Sequence, residues 1–437
     1  MSAESAGSAA PGQVSPARAR WNTLFQGLQK MGRSLQLPIA VLPAAGILNR
    51  LGQPDVFGDE GLGWTNVSRV MVGAGGALLD GQLGLPLLFC VGVAIGMARK
   101  ADGSTALAAV VGFLVYYNVL RQFPEDCPGG SKAVVGVGCQ TTLDGTVTAF
   151  TYQNPGVFGG IVMGLAAAYF WQRFHRTRLV DWLGFFNGRR LVPIIMAFVA
   201  IVFAALCLWV WPPIGSGLES FSDWLNGLDS WGAGIFGVAN RALLVIGLHQ
   251  FLNVPLWFQF GSYTKPDGTV VHGDINMFLA GDPDAGQFTS GFFPIMMFAL
   301  PAAALAITHT ARPGRRKEVG GLMLSVALTS FVTGITEPIE YSFLFVAPLL
   351  YALHAVLTGV SMAVTWGLGV HDGFSFSAGL IDYVINWNLA TKPWAIIPIG
   401  LCFAAVYYVV FRFAITRFDL KTPGREAEEE REDTTKA

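Results

Sequence analysis

The chain has 437 residues, of which 13% are charged and 52% hydrophobic, with a mean hydropathy of +0.49. An ordinary soluble domain is about 25% charged, so this balance excludes a water-soluble globular protein and points to a chain that crosses a membrane many times. The net charge of -1, from 28 Lys and Arg against 29 Asp and Glu, by itself says nothing about acidic or nucleic-acid partners, and no nucleic-acid partner is expected.

Residues 1–17 ("MSAESAGSAAPGQVSPA") are small, polar and proline-containing. They predict a disordered tail with no signal peptide. Over 18–34, Trp21, Leu24, Phe25, Leu28 and Met31 fall at helical spacing, continued by Leu35, with Lys30 and Arg33 among them. That pattern predicts an amphipathic helix at the membrane surface, with a plain extension of the first span as the alternative. Apolar runs then read as spans at Leu37–Leu51, Leu83–Ala98, Ala106–Leu120, Gly156–Trp171, Leu191–Trp211, Gly291–Ile307, Tyr341–Leu357 and Trp394–Phe413. Several fall short of the roughly 20 residues a span needs, so flanking polar residues must extend them. Gly232–Phe260, Val319–Thr336 and Gly359–Ile381 are interrupted by polar residues, Gly or Pro. The fold class expected is all-α: a polytopic membrane protein with about ten transmembrane helices plus re-entrant hairpins. It divides into an N-terminal membrane part over 35–211 and a C-terminal part over 231–418, closed by an acidic, disordered tail over 419–437.

Basic residues cluster at Arg99–Lys100, at Arg173 to Arg190, at Arg312 to Lys317 and at Arg417 to Arg425. The positive-inside rule places all four clusters and both termini on the cytoplasmic side, with loops 52–69, 121–155 and 212–230 outside. Loop 261–290 is too polar to span. Between the cluster at 312–317 and loop 382–392 the chain must cross an odd number of times. Either three apolar stretches all cross, or two pair into a re-entrant hairpin and one crosses. Cys90, Cys207 and Cys402 lie in apolar runs and read as small core residues. Cys127 and Cys139 share one outside loop, where a disulfide or two free thiols are both open. No metal-ligand spacing, P-loop or dinucleotide fingerprint is present.

Ionisable groups within apolar stretches are costly and are functional candidates by default. They are Arg241 and His249 in "NRALLVIGLHQFLNVPLWF", Glu337 and Glu340 in "GITEPIE", His354, and His371–Asp372 in "GVHDGFSF". Pro338 disfavours helix at the residue before it and suits the first turn of a new one, so the upstream helix ends by Glu337. Thr336 or Glu337 then caps a helix running to Leu357, with a carboxylate at its positive end. Two half-helices meeting at a charged tip make a transporter binding site; an ordinary surface turn between two spans is the alternative. Arg241 and His249, eight residues apart, share a face if one helix carries both, and with Gln250 they suggest a polar pocket. His354 reads as a helix-packing residue, and His371–Asp372 is left open between a site and a loop.

The motifs "GRSLQLPIAVLPAAGIL", "FNGRRLVPI", "NRALLVIGLHQFLN", "HGDINMF", "SGFFPIMMFALPAAALAI", "GITEPIEYSFLFVAPLLYALHAVLTG", "GFSFSAGLIDY" and "FDLKTPGRE" follow one another across residues 21–425. In that order they resemble the IIC membrane component of the bacterial phosphotransferase system (PTS), glucose superfamily. "NRLGQPDVF" and "GLHQ" resemble the N-acetylglucosamine-specific branch more than the glucose branch; Met277 stands where that branch carries arginine. The resemblance implies an elevator-type sugar transporter of the bacterial inner membrane, a homodimer whose N-terminal part is the scaffold. It implies that Glu337 and His249 are the catalytic pair, with Arg241, Gln250 and Glu340 also on the sugar. No bound cofactor is implied. A cytoplasmic IIB protein, phosphorylated on cysteine and recharged by IIA and the phosphocarriers, delivers the phosphoryl group to the sugar 6-hydroxyl. The chain ends in "AEEEREDTTKA" with no cysteine domain following, so IIB is expected to be a separate protein. The alternatives are the same machinery for glucose or a related hexose, and an ion-coupled secondary transporter in which Glu337 or Glu340 binds a proton or Na⁺.

Overall fold

A computed structural model of the chain describes residues 27, 30, 31, 34, 35, 38, 41–79, 83–123, 132–134, 138–143, 146–149, 154–266, 268, 270–375 and 377–426. The expected N-terminal tail, most of the amphipathic helix over 18–34, the Cys127–Cys139 question and the last residues of the acidic tail lie outside the described residues. The helices in chain order are α1 (Leu42–Leu51), α2 (Thr65–Leu79), α3 (Gly84–Met97), α4 (Gly103–Leu120), α5 (Val157–Phe174), α6 (Leu191–Gly227), α7 (Ser230–Leu244), α8 (His249–Phe258), α9 (Asp274–Leu279), α10 (Leu300–Thr310), α11 (Arg316–Thr333), α12 (Glu337–Leu344), α13 (Pro348–Gly367), α14 (Leu380–Ile385) and α15 (Ile396–Arg417).

The fold is mostly rather than purely helical, because both long connections carry small antiparallel sheets. One runs β1 (Lys132–Val134), β2 (Gly138–Leu143), β3 (Thr146–Ala149), and the other pairs β4 (Ser262–Thr264) with β5 (Val270–His272). The β4–β5 pair lies in the loop over 261–290 that the sequence marked only as too polar to span, and Gly268 takes φ +83° there.

Among the described residues, four helices are long and apolar enough to cross a membrane: Gly103–Leu120, Gly188–Gly227, Pro348–Gly367 and Pro393–Arg417. A fifth span forms if α2 and α3, bent by 50° to each other, count as one. The two faces of α6 show why the setting is a bilayer. Val192, Met196, Ala200 and Ala204 recur every fourth residue and are buried, while Phe198, Val202, Leu206 and Trp209 on other faces are 53–83% exposed. Large apolar side chains displayed along a helix are stable against lipid and costly against water.

Four expectations from the apolar runs need correction. Segment 65–79, read partly as outside loop, is helix α2; its three glycines, with Thr65, Asn66, Ser68 and Arg69, dilute the hydropathy that marks a span. Helix α6 does not stop at Trp211 but continues through Pro212 and Pro213 to Gly227. Each proline removes one backbone hydrogen bond, and the apolar residues on either side keep the helix going. The helix begun at Glu337 ends at Leu344 rather than Leu357, since Pro348 forces Ala347 out of helical geometry (φ -142°, ψ 66°). Cys90 and Cys207 are buried as expected, but Cys402 is exposed on α15.

Three cores hold the bundle. One is built entirely from residues 90–207 and a second entirely from residues 244–415. The third joins the two halves, setting Leu85, Phe89 and Ile161 among Phe236, Phe292 and Phe374. The cavity described below opens beside this shared core. Elsewhere the "LKTPGRE" segment folds back onto the α10–α11 turn. Arg425 donates to the Thr310 carbonyl at 3.0 Å, the Arg312 amide donates to the Gly424 carbonyl at 3.2 Å, and Arg315 pairs with Glu426. The third and fourth basic clusters are therefore neighbours in space. Hydrogen bonds from Lys421 and Arg425 hold the exposed Asp419 carboxyl below the usual carboxylate range.

Candidate functional site

The span carrying Arg241 and His249 is not one helix. Helix α7 ends at Leu244, the chain turns through Val245–Leu248 with Gly247 at φ +73°, and α8 starts at His249. Arg241 thus stands in the last turn of one helix and His249 in the first turn of the next, and both line a cavity of about 110 Å³. Gln250 lines it too, with its Nε2 2.9 Å from His249 Nε2. An amide nitrogen donates, so His249 accepts at Nε2 and carries its proton on Nδ1, which has no partner among the described residues.

"GITEP" forms the facing wall. Helix α11 ends at Thr333, Gly334 caps it in the left-handed region (φ +74°), and Glu337 opens α12 with Pro338 in its first turn. Thr336 occupies the N-cap position, but no side-chain capping hydrogen bond is made, contrary to the sequence expectation. Gly334, Ile335, Thr336 and Glu337 all line the cavity, which decides between the two readings left open above: the turn is a tip in the cavity wall. Glu337 lies at the end where the α12 amides point outward.

A second tip, unseen in the sequence reading, meets the first. Ser375 and Ser377 are tied to α14 by Asp382, which accepts from the Ser375 amide at 2.6 Å and the Ser377 amide at 3.4 Å. Ser377 Oγ donates to the Gly334 carbonyl at 2.9 Å. A Cβ at Gly379 would stand 2.5 Å from the Gly334 nitrogen and 2.6 Å from the Thr333 carbonyl carbon. Backbone cannot move aside as a flexible side chain can. Gly379→Ala is therefore expected to pry the tips apart, costing about 1–3 kcal/mol and weakening ligand affinity. Unchanged melting and unchanged binding of the purified variant would show that the contact is not needed.

Glu340 does not line the cavity; it is fully buried behind the wall. Its Oε1 accepts from Arg241 Nη1 at 2.7 Å and lies 3.2 Å from His354 Nε2, and His354 Nδ1 lies 2.9 Å from the Tyr407 hydroxyl. His354 therefore has company that its place in an apolar run did not reveal. Arg241 also stacks over Phe292, 5.0 Å from the ring centre, and its carbonyl accepts from the Tyr351 hydroxyl at 2.6 Å. Of the open pair, His371 stacks on Trp366 at 4.1 Å and bonds the Pro283 carbonyl. Asp372 is buried with its backbone held by Thr289 and Ser290. Both are loop anchors away from the cavity.

Several wall residues escaped the sequence reading. Asn253 and Trp257 follow His249 at i+4 and i+8, one face of α8, so helical spacing from a chosen histidine would have found them. Asn240 donates to Asn253 at 2.5 Å across the α7–α8 break. Another miss is Arg50, fully buried, which makes a bidentate pair with Asp55 (2.7 and 2.6 Å) and bonds Asn386 through Nε at 2.6 Å. It lies within the apolar run Leu37–Leu51, yet it is absent from the ionisable candidates drawn from the sequence. Among the described residues no cluster of His, Cys, Asp or Glu is placed to hold a metal ion.

Comparison with known proteins bears on this cavity. Residues 32–359 match the family model described as "Phosphotransferase system, EIIC". The chain is 66% identical over 430 residues to the "PTS system N-acetylglucosamine-specific EIIC component" of Streptomyces coelicolor, covering 98% of this chain and 100% of that protein. It is 47% identical to the "PTS system N-acetylglucosamine-specific EIICB component" of Bacillus subtilis, covering 91% of this chain and 79% of that one. Identity to the "PTS system glucose-specific EIICBA component" of Staphylococcus carnosus is 44%, over 94% of this chain and 62% of that protein.

Proposed function

The chain belongs to the phosphotransferase-system EIIC family, and from that membership we propose that it imports N-acetylglucosamine and presents it for 6-phosphorylation by a phosphorylated IIB protein. The observation that carries this reading is the meeting of Glu337, Arg241 and His249, from three different helices, on one cavity. The greater identity to proteins named for N-acetylglucosamine than to the glucose-specific relative supports the choice of sugar.

In this reading Glu337 is the general base. A sugar hydroxyl is a weak nucleophile until a positioned group accepts its proton. The hydroxyl oxygen forms the new P–O bond, its proton passes to Glu337, and the S–P bond of the donor cysteine breaks to leave a thiolate. His249, with Nδ1–H unpartnered among the described residues, and Arg241 supply donors to sugar oxygens or to the charge that develops. Gln250 holds the His249 ring. Glu340 supports Arg241 from behind rather than touching the sugar. The charged product cannot recross lipid, which makes uptake one-way.

The finer architecture belongs to the same reading. About ten crossings with re-entrant hairpins are shared between a dimer scaffold over 35–211 and a sugar-carrying, elevator-type part over 231–418. Both termini face the cytoplasm of a bacterial cell, and no bound cofactor takes part. The broad apolar surface of α6 is suited to lipid or to a second copy.

Purified protein mixed with IIB, IIA, the phosphocarriers and phosphoenolpyruvate tests the substrate. N-acetylglucosamine is expected to be phosphorylated in preference to glucose. Phosphorylation of glucose alone would reassign the sugar and leave the machinery standing.

A further inference from the structure

Arg241 is held by a chain of buried side chains that sequence motifs did not mark. Four elements contribute to it: α7 gives Arg241, α12 gives Glu340, α13 gives His354 and α15 gives Tyr407. Glu340, His354 and Tyr407 are each fully buried, and Arg241 is 3% exposed. A carboxylate only accepts, so His354 donates from Nε2 to Glu340 Oε1, and the Tyr407 hydroxyl donates to His354 Nδ1 at 2.9 Å in preference to the His354 carbonyl at 3.3 Å. The imidazole is packed against two aromatic rings: Phe343 lies edge-on to it with centres 6.0 Å apart, and Tyr351 edge-on at 5.7 Å. Arg241 and His354 converge on the same oxygen, Oε1.

We propose that His354, oriented by Tyr407, is a positioning residue for Arg241: through Glu340 Oε1 it fixes the guanidinium so that its remaining donors face the sugar. This rests on the reading above that Arg241 binds the sugar. Without the second donor, the Glu340 carboxylate is free to rotate on its side chain and Arg241 follows it. The effect falls on sugar affinity, because neither His354 nor Tyr407 lines the cavity. A packing histidine requires only shape at this site. A positioning histidine requires a donor at Nε2.

The test uses the full chain in detergent and measures the Kd for N-acetylglucosamine without IIB. His354→Phe is expected to raise Kd about tenfold, the size expected for losing a hydrogen bond to a charged group. His354→Gln, whose amide reaches the Nε2 position, is expected to restore Kd to within about threefold, and Tyr407→Phe to fall between the two. In an Arg241→Lys background, itself weakened because lysine lacks the planar fork, His354→Phe is expected to add little, since coupled residues are not additive. If His354→Phe folds poorly, Tyr407→Phe and His354→Gln carry the same comparison. Equal losses for His354→Phe and His354→Gln, or full additivity with Arg241→Lys, overturn the positioning role. An unchanged Kd in Arg241→Lys overturns instead the sugar-binding role of Arg241 from which the inference starts.

Discussion

Glu337→Gln is expected to lower the rate of phosphoryl transfer from IIB to the sugar by about 10²- to 10⁴-fold, the contribution typical of a positioned general base. The substitution keeps size, polarity and place in the first turn of α12, so the fold and the tip contact with Ser377 should survive. What it removes is the capacity to take a proton. If the carboxylate acts only as the hydroxyl ionises, kcat and kcat/KM fall together while the sugar Kd changes by a few fold. A rise in Kd with an unchanged transfer rate would make Glu337 a binding residue only, and His249 would become the candidate base.

Breaking the Arg241–Glu340 pair is expected to be the most damaging single change to stability. With the pair at 2.7 Å and side chains 4% and 0% exposed, Glu340→Gln leaves a buried guanidinium without its counter-charge. Removing one partner of such a pair costs about 3–5 kcal/mol, whereas replacing both by apolar groups is often neutral. Glu340→Gln should therefore lower the melting midpoint sharply, and Arg241→Met combined with Glu340→Leu should recover much of it. The double variant is expected not to bind sugar. Recovery of binding along with stability would mean that the pair only props the fold and that Arg241 does not touch the ligand.

How much of this was legible depended on whether a signal is local. The break at "TEP" is set by Pro338 on its own neighbour, and α11 and α12 meet there as the sequence indicated. Gly232–Phe260 reads as an interrupted run, but the sequence does not place the break between α7 and α8; it falls at Gly247, where only a glycine fits comfortably at φ +73°. Arg241 and His249 were found from the cost of burying them, and they do share a cavity, though not a helix face. Their partners were not legible. His354 is 14 residues from Glu340 and Tyr407 is 53 residues from His354, so no spacing rule relates them, and Tyr407 in an apolar helix looks like any aromatic core residue. In the second tip Ser377, Ala378 and Gly379 are small residues whose importance lies in how closely another backbone approaches, a property sequence does not print. Arg50, inside the first apolar run, met the same burial criterion as Arg241 but was passed over; it is enclosed by Asp55 and Asn386, the latter 336 residues away.

The central claim, transport coupled to phosphorylation at the Glu337–Arg241–His249 cavity, is tested most directly by uptake into proteoliposomes carrying this protein alone or with phosphorylated IIB enclosed. Labelled N-acetylglucosamine should accumulate only when IIB is enclosed, and should be recovered inside as the 6-phosphate. Accumulation of unmodified sugar by IIB-free vesicles under a proton or Na⁺ gradient would contradict the account and identify an ion-coupled transporter.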